Sequence, residues 1–120
     1  MLVPSEHEES VMLAQWLDFK NLLYSKIPSE TYITGWKQKH KNTEEGVHKG
    51  VPDYIIIINA SQCSLNRSVI LFIELKKKKG GKISEEQKKW IEELNKVADV
   101  EAHVCKGSCE AIKIISELLK

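Results

Sequence analysis

Two short apolar runs constrain this chain more than any other feature: Tyr54-Ile55-Ile56-Ile57-Ile58 and Val69-Ile70-Leu71-Phe72-Ile73. Each has the length of a strand and falls far short of the roughly 20 residues that a membrane span requires. Neither run alternates with polar residues, which is the pattern of central strands covered on both faces. The polar stretch from Asn59 to Ser68 reads as a hairpin-type connection between them. Pro52 stands at the mouth of the first strand, a position where the missing N–H is tolerated. If the two runs pair antiparallel, the start of the first lies beside the end of the second.

The rest of the chain organises around that pair. Ser5 is placed to cap a helix, with Glu8 three residues on completing a capping box. Leu13, Trp16 and Leu17, then Leu22 and Leu23, follow at helical spacing, and the pattern fades between Ser25 and Pro28. Thr31 to Trp36 is β-branched and aromatic and predicts a short strand. Lys37 to Gly50 is polar and predicts a loop, with room for one helical turn. After the second apolar run, Gly80-Gly81 breaks the chain and Ser84 caps a helix whose Trp90, Ile91, Leu94 and Val97 share a face. A strand is expected from Val100 to Cys105, then a helix from Ser108 to Leu119 with Ala111, Ile112, Ile115, Leu118 and Leu119 inward. The order is α-β-β-β-α-β-α: an α/β fold with a central mixed sheet flanked by helices, in one domain of residues 1–120.

Composition excludes several classes. With 42% hydrophobic and 29% charged residues and a net charge of +1, the chain has neither the polarity nor the charge imbalance of disorder. The N-terminus lacks a basic segment followed by an apolar one, so no signal peptide is expected and the chain should stay in a cytoplasm. Its three cysteines, Cys63, Cys105 and Cys109, cannot all pair within the chain, in keeping with a reducing compartment. Net charge does not announce nucleic acid, but its distribution does more. From Lys76 to Lys89 there are seven lysines and two glutamates, and a second basic cluster holds Lys37, Lys39, Lys41 and Lys49 with His40 and His48. Such patches either bind phosphates or form a solvated face.

Chemistry concentrates where the two runs meet. Glu74 and Lys76 are two residues apart on one strand, so they leave the same face of the sheet, following Ile70 and Phe72. Asp53 opens the neighbouring strand, and an antiparallel pairing brings it beside Glu74. Two carboxylates at one sheet rim repel unless a cation lies between them. Mg²⁺ suits them: it takes hard oxygen ligands, often one or two carboxylates, with water and phosphate completing the shell. Such an ion polarises phosphoryl oxygens and acidifies water, and Lys76 would stabilise growing charge or orient the attacking water. That is the chemistry of phosphodiester hydrolysis. The plainer reading is a surface ion pair with an aspartate opening a turn. Gly50-Val51-Pro52, which fixes the backbone beside Asp53, favours a built site. Glu9 shares a helix face with Leu13 and Trp16 and points inward, either as a metal-site acid or as a first-turn acid favoured by the helix dipole. Gln87 either completes a capping box with Ser84 or reaches the site from the face of Ile91.

The ordered set Gly50-Val51-Pro52-Asp53, Phe72-Ile73-Glu74-Leu75-Lys76, Gly80-Gly81 and Ser84-Glu85-Glu86-Gln87-Lys88-Lys89-Trp90 resembles the VRR-NUC branch of the PD-(D/E)XK nuclease superfamily. Glu9 followed by Trp16 is similar to that family's first-helix motif, although Ser10 stands where relatives often have glutamine. The resemblance runs from about Ser5 to Leu119 and implies a restriction-endonuclease-like core that hydrolyses DNA with Mg²⁺ or Mn²⁺. It implies Glu9, Asp53 and Glu74 as metal-site acids, Leu75 as a ligand through its carbonyl, Lys76 as the catalytic lysine and Gln87 as an accessory. Lys49, Lys77, Lys78, Lys79 and Lys82 are then expected to grip DNA phosphates without sequence preference. Stand-alone members resemble phage-type enzymes that act as homodimers on branched DNA, including four-way junctions, in which case the cytoplasm is that of a bacterial host. The alternatives are a nuclease or nickase without junction preference, a non-catalytic DNA-binding module of the same fold, and a dimeric interaction protein. His103, Cys105 and Cys109 lack an evident fourth ligand, so buried cysteines rather than a zinc site are expected.

Overall fold

The structure is a computed structural model and describes residues 3–28, 40–41 and 43–120. Its elements run α1 (Glu6–Phe19), β1 (Leu23–Lys26), β2 (Tyr54–Ile58), β3 (Val69–Lys76), α2 (Glu85–Leu94), β4 (Val100–Lys106) and α3 (Ser108–Leu118). The expected αβββαβα order is the one observed. These four strands form one mixed sheet in the order β1-β2-β3-β4, antiparallel across the first two pairs and parallel across the third.

The hairpin sets the register. Tyr54 pairs with Ile73 and Ile58 with Val69, so side chains sort onto two faces. Tyr54, Ile56 and Ile58 share one face with Val69, Leu71, Ile73 and Leu75, and all are buried against Leu13 and Leu17 of α1 and Ala111, Ile115 and Leu118 of α3. Complete burial of each large aliphatic side chain contributes roughly 1.5–3 kcal/mol, which makes this face the main source of stability. The other face was expected to be equally covered, and it is not. Ile55, Ile57 and Phe72 are half-buried and Ile70 is 37% exposed. The reason is the placement of α2, which packs on β4, where Ala102 on this second face is buried. The middle of the sheet is left partly open on the face that carries Asp53, Glu74 and Lys76.

The two ends of β4 show how the chain closes. Asn95, just past α2, accepts from the Ala102 N–H at 2.8 Å and donates to the Ala102 carbonyl at 2.9 Å. The amide occupies the outer edge of β4 as a neighbouring strand would, which blunts that edge against unwanted pairing. At the far end, the Gly107 N–H donates to the Lys76 carbonyl at 2.8 Å, tying the turn after β4 to the last residue of β3.

Two further expectations are corrected, and one falls outside the described residues. The first helix stops at Phe19, because Asn21 takes a left-handed conformation (φ 56°), and Leu23 enters β1 opposite Ile57 instead of extending the helix. The sheet's first strand is thus Leu23–Lys26, while the expected strand at Thr31–Trp36 lies outside the described residues. Val97 falls beyond α2 and is 53% exposed, so it does not extend that helix's apolar face. Among the described residues no helix is long and apolar enough to cross a membrane.

Candidate active site

The hairpin register, continued one pair beyond Tyr54 and Ile73, sets Asp53 opposite Glu74 at the rim of the half-covered face. Both carboxyls are buried, Glu74 to 3% exposure. Lys76 follows on the same face, its ammonium 3.5 Å from Glu74 Oε2 and its side chain largely buried. Gly81 lies against this lysine: a Cβ there would come within 3.0 Å of Lys76 Cβ, so the glycine leaves the side chain its path.

Asp53 is fixed by the backbone of the strand beside it. Its Oδ2 accepts from the Leu75 N–H at 2.9 Å, and its own carbonyl accepts from the Ile27 N–H. The same register sets Leu75 against Pro52, which has no N–H to give the Leu75 carbonyl. Behind Pro52 the backbone is held by Gly50. With φ +92° it lies so close to α2 that a Cβ would meet the Glu86 carbonyl carbon at 2.6 Å and the Gln87 nitrogen at 2.8 Å. Trp90 adds a second tie, its indole N–H donating to the Lys49 carbonyl at 3.2 Å.

The electrostatics follow from this crowding. Burial, then the charge of Asp53 and a hydrogen bond with it, push the Glu74 carboxyl up from 4.5 to about 8, against the opposing pull of Lys76. Without a counter-ion, a proton relieves the repulsion between the two acids. A hard divalent cation relieves it better, and two carboxylates with a backbone carbonyl that Pro52 cannot engage are the oxygen donors that Mg²⁺ or Mn²⁺ takes. Among the described residues, no group of three or more His, Cys, Asp and Glu side chains gathers closely enough to hold an ion by itself. At this rim Asp53, Glu74 and the Leu75 carbonyl are the groups that could hold an ion.

The other expected site residues divide. Glu9 points inward and is fully buried, and its Oε1 accepts from Ser108, from the N–H at 3.2 Å and from the hydroxyl at 3.0 Å. Gln87 completes a capping box, accepting from the Ser84 N–H through Oε1 at 2.9 Å. That occupies its carbonyl oxygen at the start of α2. Lys77, Lys78, Lys79 and Lys82 form an exposed basic edge directly after Lys76, and Lys49 is exposed beside the Gly50 turn. Of the second basic cluster, Lys37 and Lys39 lie outside the described residues. Cys63 and Cys105 are buried as expected, the Cys105 thiol pushed up to about 12 by burial and Glu110, whereas Cys109 is exposed. Ser108 and Gly107 were not singled out by the sequence. The one signal there was a glycine just before an apolar helix that has no capping side chain of its own.

The fold has counterparts among solved structures. A "VRR_NUC domain protein" is 28% identical, superposes with a TM-score of 0.66 and covers 98% of this chain and 90% of its own. A second, a "VRR_NUC domain", is 21% identical with a TM-score of 0.62, covers 94% of this chain and 97% of its own, and shares the fold. No curated protein matches the chain. The model of the VRR-NUC domain family matches residues 4–109, with β2, β3 and their charged rim inside the match. The chain belongs to the VRR-NUC domain family and has its nuclease-type fold.

Proposed function

We propose that this protein is a divalent-metal-dependent endonuclease that hydrolyses DNA phosphodiesters, acting as a homodimer on branched or four-way-junction DNA. The observation that carries the reading is the burial of two opposed carboxyls, Asp53 and Glu74, beside the Lys76 ammonium at one sheet rim. Burying unneutralised acids is costly and is retained where the groups are used. Asp53, Glu74 and the Leu75 carbonyl would hold Mg²⁺ or Mn²⁺. When bound, such an ion supplies a polarised phosphoryl oxygen and an acidified water.

The chain's own residues supply the rest. Asp53 arrives preorganised, because the Leu75 N–H holds its carboxylate from behind. Lys76 places a fixed positive charge at the rim, where it stabilises the charge that grows on the phosphate or orients the attacking water. Lys77, Lys79 and Lys82 hold flanking phosphates and supply affinity without reading sequence. A two-fold axis would bring two such rims to the two strands of a symmetric junction.

The deciding experiment is cleavage of a labelled four-way junction with Mg²⁺, beside linear duplex and the Lys76→Ala variant. Selective junction cutting that drops by roughly 10²–10³ in the variant is expected, the magnitude of losing one charge-stabilising group. Equal cutting of both DNAs leaves a nuclease without junction preference. Binding without cutting, in Mg²⁺ or Mn²⁺, leaves a DNA-binding module.

A further inference from the structure

Helices α1, α2 and α3 start in different ways. α1 and α2 begin with complete serine capping boxes, at Ser5 and Ser84, whereas α3 begins at Gly107 with no side-chain cap. Its first free amide, on Ser108, instead donates to Glu9, a residue 99 positions earlier in the chain. The Ser108 hydroxyl donates to the same oxygen. Glu9 thus does for α3 what a local serine does for α1 and α2.

Its surroundings support the same role. Glu9 sits in the first turn of α1 and at the start of α3, so one buried side chain joins two helix N-termini. Its second oxygen, Oε2, has no hydrogen-bond partner among the described residues and lies over Gly107, where a Cβ would come within 2.7 Å of it. The Lys78 stem covers the same spot, its Cγ 2.9 Å from that Cβ position. The Gly107 N–H meanwhile holds the Lys76 carbonyl. Glu9, Gly107 and the Lys76–Lys78 segment are therefore one packed node behind the rim.

We infer that Glu9 is a positioning residue: it caps α3 across the fold, fixes the end of β3 that presents Lys76, and is not a ligand of the metal. The consequence for catalysis rests on the nuclease reading; the cap does not. A cap needs an acceptor oxygen, which glutamine keeps, whereas a ligand of a hard cation needs the carboxylate, which glutamine lacks.

The test compares Glu9→Gln, Glu9→Ala, Ser108→Ala and the Glu9→Ala/Ser108→Ala double variant. In urea unfolding of the metal-free proteins, Glu9→Ala should lower the folding equilibrium constant at least tenfold and Glu9→Gln about threefold or less. The double variant should fall short of the product of the two single losses by severalfold, because both substitutions remove the same hydrogen bond. Mn²⁺ affinity, read by calorimetry, should stay within twofold in Glu9→Gln and fall at least tenfold in Glu74→Gln. In cleavage assays Glu9→Gln should recover most of the kcat that Glu9→Ala forfeits, with the metal half-saturation point unchanged. A tenfold loss of Mn²⁺ affinity in Glu9→Gln overturns the inference, as do independent, multiplying losses for Glu9 and Ser108. A parent protein that cuts no DNA defeats the nuclease reading and leaves the unfolding cycle to decide the cap.

Discussion

Glu74 concentrates the tension of this site, and its protonation is open to measurement. The folded protein holds its proton up to about pH 8, whereas the ordinary value is 4.5. Between those limits the folded state binds more protons than the unfolded chain, so stability of the metal-free protein should fall as pH rises through this window. A tenfold difference in proton affinity between the two states corresponds to about 1.4 kcal/mol, so the decline is on the order of a few kcal/mol. Urea titrations at pH 5.5, 6.5 and 7.5 should show it; Glu74→Gln should flatten it, and saturating Mg²⁺ should reverse it by favouring the ionised pair. A pH-independent parent would remove the electrostatic case for the site. The meeting of Asp53, Glu74 and Lys76 was legible in the sequence, because two adjacent apolar strands and a short connection leave one register that buries both. Glu9 was legible as inward-pointing but its partner was not. Helical spacing gives the direction of a side chain, and nothing in it indicates Ser108 at the other end of the chain.

Among the elements, the hairpin, both serine-capped helices and the last β-α unit were readable because each rests on local rules: strand-length apolar runs, capping boxes and apolar residues at helical spacing. β1 was not. Leu22 and Leu23 continue the helical period of α1, and only the left-handed turn at Asn21 and the pairing of Leu23 with Ile57 take them into the sheet. Tertiary pairing overrode local periodicity there. The half-covered central face has a similar origin, since the sequence of a strand does not reveal which neighbour a crossover helix will cover. Gly50 is where elements and site meet. Gly50→Ala forces a Cβ into the α2 backbone at positive φ, and should cost at least about 2 kcal/mol, more than a surface glycine. The same substitution at Gly46, whose φ is +90° but whose Cβ would meet nothing within 4 Å among the described residues, is the control and should cost about 1 kcal/mol. Equal losses at the two positions, read from denaturant midpoints, would mean that the packing of α2 on the Gly50 turn does not matter. Asn95→Ala removes both hydrogen bonds from the outer edge of β4 and should destabilise by about 1–2 kcal/mol while making the protein more prone to associate through that edge. Light scattering against a wild-type control checks the second effect.

For the whole molecule, a net charge of +1 gives no general attraction to DNA, so affinity has to come from where the lysines stand. The basic edge after β3 follows Lys76 directly, and a phosphate gripped there is a phosphate held near the rim. Lys78 differs from its neighbours because its stem is packed over Gly107. Replacing Lys77, Lys79 and Lys82 together by glutamine should therefore weaken binding of every DNA alike and lower the slope of log affinity against log salt by about 3, roughly 0.9 for each phosphate no longer neutralised. Lysines of this kind raise affinity but do not distinguish a junction from a duplex, so in the proposed homodimer junction selectivity would come from the spacing of two sites. It should then depend on assembly. If the proposed homodimer is the source of junction preference, diluting the protein until it sediments as a monomer should erase that preference before it erases DNA binding. If junction preference persists in a species that sediments as a monomer, one subunit recognises the branch by itself and the two-fold arrangement is not the source of specificity.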